Sequence, residues 1–487
     1  MRILHWFRSD LRTRDNAALD AACRDASRGA DGGVVGVFSV CPRQWKDEHD
    51  WGDAKAGFVL RSVASLRDDL ASLNIPLKII VTPDFAGVPE ALLALARETG
   101  CGAVYFNDEY EVNEAARDEA VVDAFENAGL TSKRFLDKVV FAPGSVMTKT
   151  GGWYTVYSPF KKRWRERYTT GEAPTSTGRA KKQPSIDIAC DDVPESIDGF
   201  SIGTKDESRG VRPDLWAAGE AEADRRLEAF IADRVGAYKD RRDLPSVNGT
   251  STLSPYLAMG VVSPRRCVEA ALDANDGRID TGNAGAVGWI EELIWREFYQ
   301  HLLIGFPKLC KGRAFRAEMD SVEWNRDEGE FDRWTRGETG YPIVDAAMRQ
   351  LNTTGWMHNR CRMIVAMFLT KHLMIDWRWG ERYFMNRLVD GDLASNNGGW
   401  QWSASTGTDA QPYFRIFNPT TQGEKFDKDG AYIKRFVPEL SELAGKALHT
   451  PSEAGLFSGL DYPAPIVEHK MARERALAAF KAAAASK

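Results

Sequence analysis

The sequence predicts an α/β N-terminal domain, built on a parallel, doubly wound, Rossmann-like sheet, followed by an all-α C-terminal domain. Three observations predict it. Residues 1–130 alternate short apolar runs with amphipathic stretches, the pattern of βαβ units. Residues 131–215 form a connector whose later part turns rich in Thr, Gly, Pro, Ser and Asp. From 216 to 487 helical periodicity dominates and the alternation disappears. A chain of 487 residues is also too long for one ordinary core.

Each N-terminal element follows in order. "RILHWF" (2–7), "GVVGVFSV" (33–40), "LKIIV" (77–81) and "AVYFN" (103–107) read as buried parallel strands. Residues 58–73 and 88–100 read as amphipathic helices, the second closed by Gly100. No GxGxxG follows the first strand, so the common dinucleotide fingerprint is absent. A ligand would still belong at the carboxyl edge of the sheet, where "NDEYEVNEAARD" (107–118) follows a strand.

Composition narrows the class. Apolar residues at 43% and charged residues at 28% argue against disorder or fibre. The opening residues carry charges too early for a signal peptide, and no apolar run reaches a membrane span, so a cytoplasmic protein is expected. Seven cysteines without CxxC spacing read as reduced thiols, and seven scattered histidines give no metal-ligand pattern. The net charge of −6 does not point to nucleic acid, but "KKRWRERY" (161–168) and "RAKK" (179–182) are locally basic. That run fits a solvated helix face or a phosphate-facing one. An Ala/Lys-rich tail occupies 472–487.

Tryptophan is the outlier: of fifteen, nine lie between 289 and 402. The stretch "ASNNGGWQWSASTGTD" (394–409) holds Trp400 and Trp402 among small polar residues and reads as extended, which would turn the two to opposite sides. In "WIEELIWREFYQHLL" (289–303), helical spacing puts Glu292, Arg296 and Tyr299 on one arc with Trp295 at its border. This is a surface ion pair or a pocket wall. "MHNRCRMIVAMFLTKHLMI" (357–375) reads as a buried helix with Asn359, Arg362, Met363 and Ala366 on one arc. A buried arginine needs an acid, and Asp390 and Asp392 are the candidates. "GTSTLSPYLAMG" (249–260) could hold phosphate through hydroxyls and a helix N-terminus, or be an ordinary cap.

Together these segments resemble the photolyase/cryptochrome flavoproteins, nearest to the class I bacterial cyclobutane pyrimidine dimer photolyases. The resemblance runs from "HWFRSDLRTRDN" (5–16) to "DYPAPIVEHK" (461–470). Its most specific stretches are "ELIWREFYQHL", "TGYPIVDAAMRQLNTTGWMHNRCRM" and "DGDLASNNGGWQWSASTGTDAQPYFRIFNPTTQGEKFD". It implies an antenna domain over 1–130, a connector over 131–215 and a helical FAD-binding domain over 216–487.

The resemblance also implies roles. FAD, functional as FADH⁻, would meet Tyr238, Thr250, Ser251, Leu253 and Ser254 with its phosphate half. Its ring would meet Asn359, Arg362, Asp390, Asp392 and Asn396, the last facing flavin N5, and Arg296 would be a further cofactor contact. Trp400, Trp377 and Trp324 would carry electrons inward from the surface. Glu292, Trp295, Asn359, Met363 and Trp402 would line the cavity for a dimer flipped out of DNA. Excited FADH⁻ would donate an electron, the cyclobutane ring would split, and the electron would return. Lys161, Arg163 and Arg360 are the expected phosphate contacts, beside Glu292 and Trp295 in the cavity. Asn113, Glu114, Cys310 and Lys311 would hold an antenna, methenyltetrahydrofolate being favoured over a deazaflavin. A monomer without a metal or an obligate protein partner is expected.

The rival within the resemblance is a cryptochrome, a blue-light photoreceptor without repair. A (6-4) photolyase would be expected to have a histidine at Asn359 or Met363, and neither is one. No hydride-donor fingerprint supports a dark oxidoreductase.

Overall fold

Five parallel strands run in the order β3-β2-β1-β4-β5: β1 Arg2–Phe7, β2 Val34–Val40, β3 Leu77–Val81, β4 Cys101–Asn107 and β5 Thr131–Phe135. The structure is a computed structural model that describes residues 1–26, 32–202, 205–454 and 461–485. Residues 203–204 of the expected connector and 486–487 of the expected tail lie outside the described residues. Four strands arise where β-branched and aromatic runs predict them. The fifth, TSKRF, is a polar and largely exposed edge strand with no apolar signature.

The order reverses at β1, which pairs with β2 on one side and β4 on the other. The carboxyl ends of β1 and β4 therefore face the crevice where such sheets take ligands. Asn107, the last residue of β4, fixes the loop after β1. Its Nδ2 donates to Asp10 Oδ2 at 2.6 Å and Asn16 Oδ1 at 2.8 Å, and its Oδ1 accepts from Ala18 N. The helices between strands are α1 Ala17–Asp25, α2 Asp53–Ser72, α3 Val88–Thr99 and α4 Val112–Asn127. Helix α3 ends at Gly100, whose φ of +65° is the left-handed cap that glycine adopts without penalty. The expected connector contains β5 and a helix, α5 Tyr157–Thr169, which carries the basic run.

The chain forms two compact units. The first comprises Met1–Lys205, Pro213–Gly236 and Ser251–Pro307; the second comprises Asp206–Arg212, Ala237–Thr250 and Lys308–Lys487. The helices at Glu220–Asp233, Pro264–Asp273 and Ala284–Gly305 thus belong with the sheet's unit. A buried ionic knot ties the Pro264–Asp273 helix to it: Arg12 Nη2 lies 2.6 Å from Asp137, and Arg265 reaches Asp137 at 2.7 Å and Asp15 at 3.0 Å. Removing one partner would strand a buried charge, so the knot holds as a set.

The second unit is built from helices and short turns. Its core gathers Trp334, Ile364, Val365, Phe368, Leu369, Trp377, Phe384, Trp400, Tyr432 and Ile433. The stretch expected as one helix over 357–375 is an α-helix only over Asn359–Met367 and then widens into a π-turn over Phe368–His372. Such turns insert an extra residue in the ladder, and they often sit near functional positions.

Candidate functional site

In the first unit, the Ala284–Gly305 helix starts at Asn283, whose side chain accepts from the amides of Gly285 and Ala286. Ile290, Ile294, Phe298 and Leu302 are buried, while Glu292, Trp295, Arg296 and Tyr299 are half-buried on the neighbouring arc. Glu297 is wholly buried and accepts from Val140 N, Phe141 N and Trp164 Nε1 at 2.7, 3.1 and 2.7 Å. Burial raises its pKa to about 7. Arg296 donates to the carbonyls of Lys138 at 2.8 Å and Leu257 at 3.2 Å, bracing two loops against the helix.

Trp295 lies flat on Tyr157 of α5, with ring centroids 3.5 Å apart and planes 11° from parallel. The basic run on α5 is partly neutralised. Lys161 and Arg165 both reach Glu291 Oε1, at 2.9 and 3.0 Å. Arg163 is exposed and 3.5 Å from Glu166, and Lys162 is exposed.

The Thr/Ser segment makes a tight turn. Thr252 sits at φ +52°, uncommon for a β-branched residue and a mark of stored strain. Its hydroxyl donates to Ser251 O at 2.7 Å. Leu253 is buried, Ser251 half-buried and Ser254 exposed, and the helix that follows is only the five residues Ser254–Ala258. Its dipole is correspondingly modest.

At the ligand edge of the sheet the side chains pair with one another. Arg8 stacks on Trp6 at 3.9 Å, and Arg117 stacks on Phe85 at 4.4 Å while binding Glu109 at 2.7 Å. Asn113 is exposed. Glu114 is half-buried, 3.6 Å from His49 Nε2. Burial, with Glu111 and Glu109 beside it, raises the Glu114 pKa to about 8, and burial lowers that of His49 to about 4.

In the second unit, Arg362 projects from the Asn359–Met367 helix, and its Nη2 meets both Asp390 oxygens at 3.0 and 2.8 Å. Its Nε donates to Met357 O at 2.9 Å. Arg362 is thus half-buried rather than buried, and of the two candidate acids it pairs with Asp390. Asn359 opens that helix and is exposed; Met363 is half-buried; Tyr238 is buried and Thr250 half-buried. Arg360 is already engaged, with Asp243 at 2.9 Å and over the Phe426 ring at 4.4 Å. Cys310 is half-buried and Lys311 exposed.

The segment around Trp400 and Trp402 is not extended. Asp392 caps an α-helix over Leu393–Ala404, accepting from Ser395 N at 2.9 Å. Residues two apart on a helix are rotated by about 200°, so the two tryptophans still face apart. Trp400 is buried, and its ring meets Phe384 at 5.0 Å and Trp334 at 6.1 Å. Trp402 is half-buried. Asn396 donates to Glu381 O at 2.9 Å from the same helix. Trp377 is buried at the first turn of the Trp377–Arg387 helix, and Trp324 is half-buried against the edge of Phe480 at 5.8 Å.

Two supporting residues have no signal in the sequence pattern. Gly380 leaves the space that the Trp400 indole fills, since a Cβ there would collide with the ring. Tyr157 lies on another helix from its partner Trp295, so no local spacing reveals it.

Residues 289–482 match the family model for the FAD binding domain of DNA photolyase, and residues 3–180 match that for DNA photolyase. The chain is 45% identical to the deoxyribodipyrimidine photo-lyase of Escherichia coli, over 99% of this chain and 98% of that protein. It belongs to the DNA photolyase family. The Salmonella typhimurium deoxyribodipyrimidine photo-lyase is likewise 45% identical, over 99% and 98% of the two chains. Among solved structures, a class III photolyase from Agrobacterium tumefaciens superposes with a TM-score of 0.88 at 37% identity, over 100% of this chain and 98% of that one. A Synechocystis cryptochrome superposes at 0.84 with 27% identity, over 98% of each chain. The family thus confirms the α/β and helical architecture and the FAD-binding assignment. Among the described residues, no helix is long and apolar enough to cross a membrane.

Proposed function

We propose that this photolyase-family protein splits cyclobutane pyrimidine dimers in DNA in a light-driven reaction that uses FAD. The observation that carries the reading is the Leu393–Ala404 helix. It sets Asn396, a buried Trp400 and a half-buried Trp402 on one rigid element, in a chain 45% identical to deoxyribodipyrimidine photo-lyases along nearly its whole length.

The residues fit a flavin on their own chemistry. Arg362, steadied by Asp390, offers a guanidinium; Asn359 and Asn396 offer amides; and Trp400 Nε1 is a buried polar atom without a hydrogen-bond partner among the described residues. When bound, FAD supplies the electron that its photoexcited reduced form passes to the dimer. Arg362 favours negative charge beside it. Asp390 and Asp392 in the second unit and Arg296 in the first are read as further FAD contacts, and Tyr238 and Thr250, with Ser251, Leu253 and Ser254, as contacts to its phosphate half. Trp400, Trp377 and Trp324 relay electrons inward to restore the reduced state.

In the first unit Trp295 is read as stacking on a flipped-out dimer and Glu292 as hydrogen-bonding a pyrimidine edge; in the second, Trp402, Met363 and Asn359 are read as dimer contacts. The reaction has no net electron demand, so no side chain has to act as nucleophile or general base. Arg163 and Lys162 are exposed and take the phosphate backbone. Lys161 and Arg360, paired with Glu291 and Asp243, contribute less. Asn113 and Glu114 in the first unit, and Cys310 and Lys311 in the second, are each read as contacts for a methenyltetrahydrofolate antenna. The protein works as a cytoplasmic monomer.

One observation favours the second reading, a photoreceptor without repair: a cryptochrome shares this fold at a TM-score of 0.84. Dark binding separates the two. The reduced protein should bind a thymine-dimer oligonucleotide at least tenfold more tightly than the undamaged strand, and Glu292→Ala should narrow that ratio while keeping flavin. Equal binding of both strands would favour the photoreceptor.

A further inference from the structure

We propose that Tyr157 is a positioning residue for substrate recognition: it holds the Trp295 indole flat, so that one face remains to receive a damaged base. The proposal rests on the reading of Trp295 as a wall of the dimer cavity.

A half-buried tryptophan on a helix can turn about two side-chain bonds, and a platform that turns gains little from stacking. Here one face of the indole is taken. Tyr157 lies against it at 3.5 Å and 11°, a tighter and more parallel contact than Trp295 makes with Phe298, at 5.7 Å and 76°, or Tyr299, at 5.6 Å and 32°. Tyr157 is itself held on several sides. Its ring is buried, Phe298 presses on it edge to face at 5.8 Å, and its hydroxyl donates to Glu291 O at 2.7 Å. In an α-helix the Glu291 carbonyl is the one that accepts the Trp295 amide. Tyr157 is therefore fixed at the ring of Trp295 and at the turn that carries it. Lys161 and Arg165, one and two turns further along α5, converge on the Glu291 carboxylate and pin the two helices at the same level. Tyr157 touches no reacting atom and acts only through Trp295.

Aromatic stacking beyond simple burial corresponds to roughly a two- to tenfold change in an equilibrium. Full-length Tyr157→Leu and Tyr157→Phe are compared with Trp295→Ala, reading flavin content, affinity for a thymine-dimer oligonucleotide and affinity for the undamaged strand. Tyr157→Leu should keep its flavin and lose roughly two- to tenfold of its preference for the dimer strand. Tyr157→Phe, which keeps the stack and gives up only the hydroxyl, should restore most of that preference. A general structural role would weaken both strands together and leave the ratio unmoved. An unchanged ratio in Tyr157→Leu, beside a reduced one in Trp295→Ala, would overturn the positioning role alone. An unchanged ratio in Trp295→Ala would overturn it together with the cavity reading.

Discussion

Asp390 receives Arg362 Nη2 on both carboxylate oxygens, at 3.0 and 2.8 Å, with its own side chain only 1% exposed and that of Arg362 26% exposed. The acid is the more deeply buried member, so the pair holds the guanidinium at the edge of the core without sinking it. Asp390→Asn removes the charge and keeps the shape. It should cost about 2–3 kcal/mol, less than the roughly 3–5 kcal/mol of a fully buried pair because Arg362 keeps some solvent. It should also yield protein with most of its FAD lost. Flavin absorbance per chain after purification, beside a denaturant titration, checks both.

Gly380 is a packing requirement of Trp400. A methyl group there would meet the indole and Leu369. Gly380→Ala should destabilise the protein by about 1–3 kcal/mol, as overpacking does, and displace the ring. Because Trp400 is read as the flavin-proximal relay, the rate at which light reduces oxidised flavin should fall with it. A variant that is destabilised but photoreduces at the parental rate would remove Trp400 from that role.

The two tryptophans of one helix should separate by task. Trp400→Phe should block photoreduction and still repair dimers once the flavin is reduced chemically. Trp402→Ala should photoreduce normally and bind dimers poorly. Parallel assays on both variants read this directly, and identical defects would mean that the helix does not divide the work.

Acid should destabilise the protein through His358. Burial lowers its pKa from 6.5 to about 4. The unfolded chain therefore binds the proton first, and stability falls as pH drops from about 6.5 toward 4, by about 2 kcal/mol at pH 5. His301, lowered to about 4, and His372, lowered to about 3, act in the same direction. His358 Nδ1 accepts from Arg360 N at 3.2 Å as a helix cap, a task asparagine also performs. His358→Asn should thus flatten the slope of stability against pH between 6.5 and 4, as denaturant midpoints at stepped pH will show.

The parts of this fold that can be read from sequence are those where one face is buried and the other is not. Strands β1 to β4 announce themselves by apolar runs, and α3 by its stripe and its closing Gly100. The polar edge strand β5 has no such contrast. Nor does the Leu393–Ala404 helix, whose glycines and asparagines mask its periodicity, so it reads as extended chain. The need of Arg362 for an acid is legible from its apolar neighbours, and the structure supplies Asp390. Tyr157 and Gly380 are not legible, because each is defined by a ring that tertiary packing brings to it.

Light-driven splitting of dimers is open to a direct test. The purified protein, with its flavin reduced in the dark, is mixed with a thymine-dimer oligonucleotide and exposed to blue light while absorbance near 260 nm is followed. Recovery of that absorbance in light, and none in a dark control, is the predicted result. Flavin that photoreduces normally while the absorbance stays flat under light would contradict the claim and leave a photoreceptor in its place.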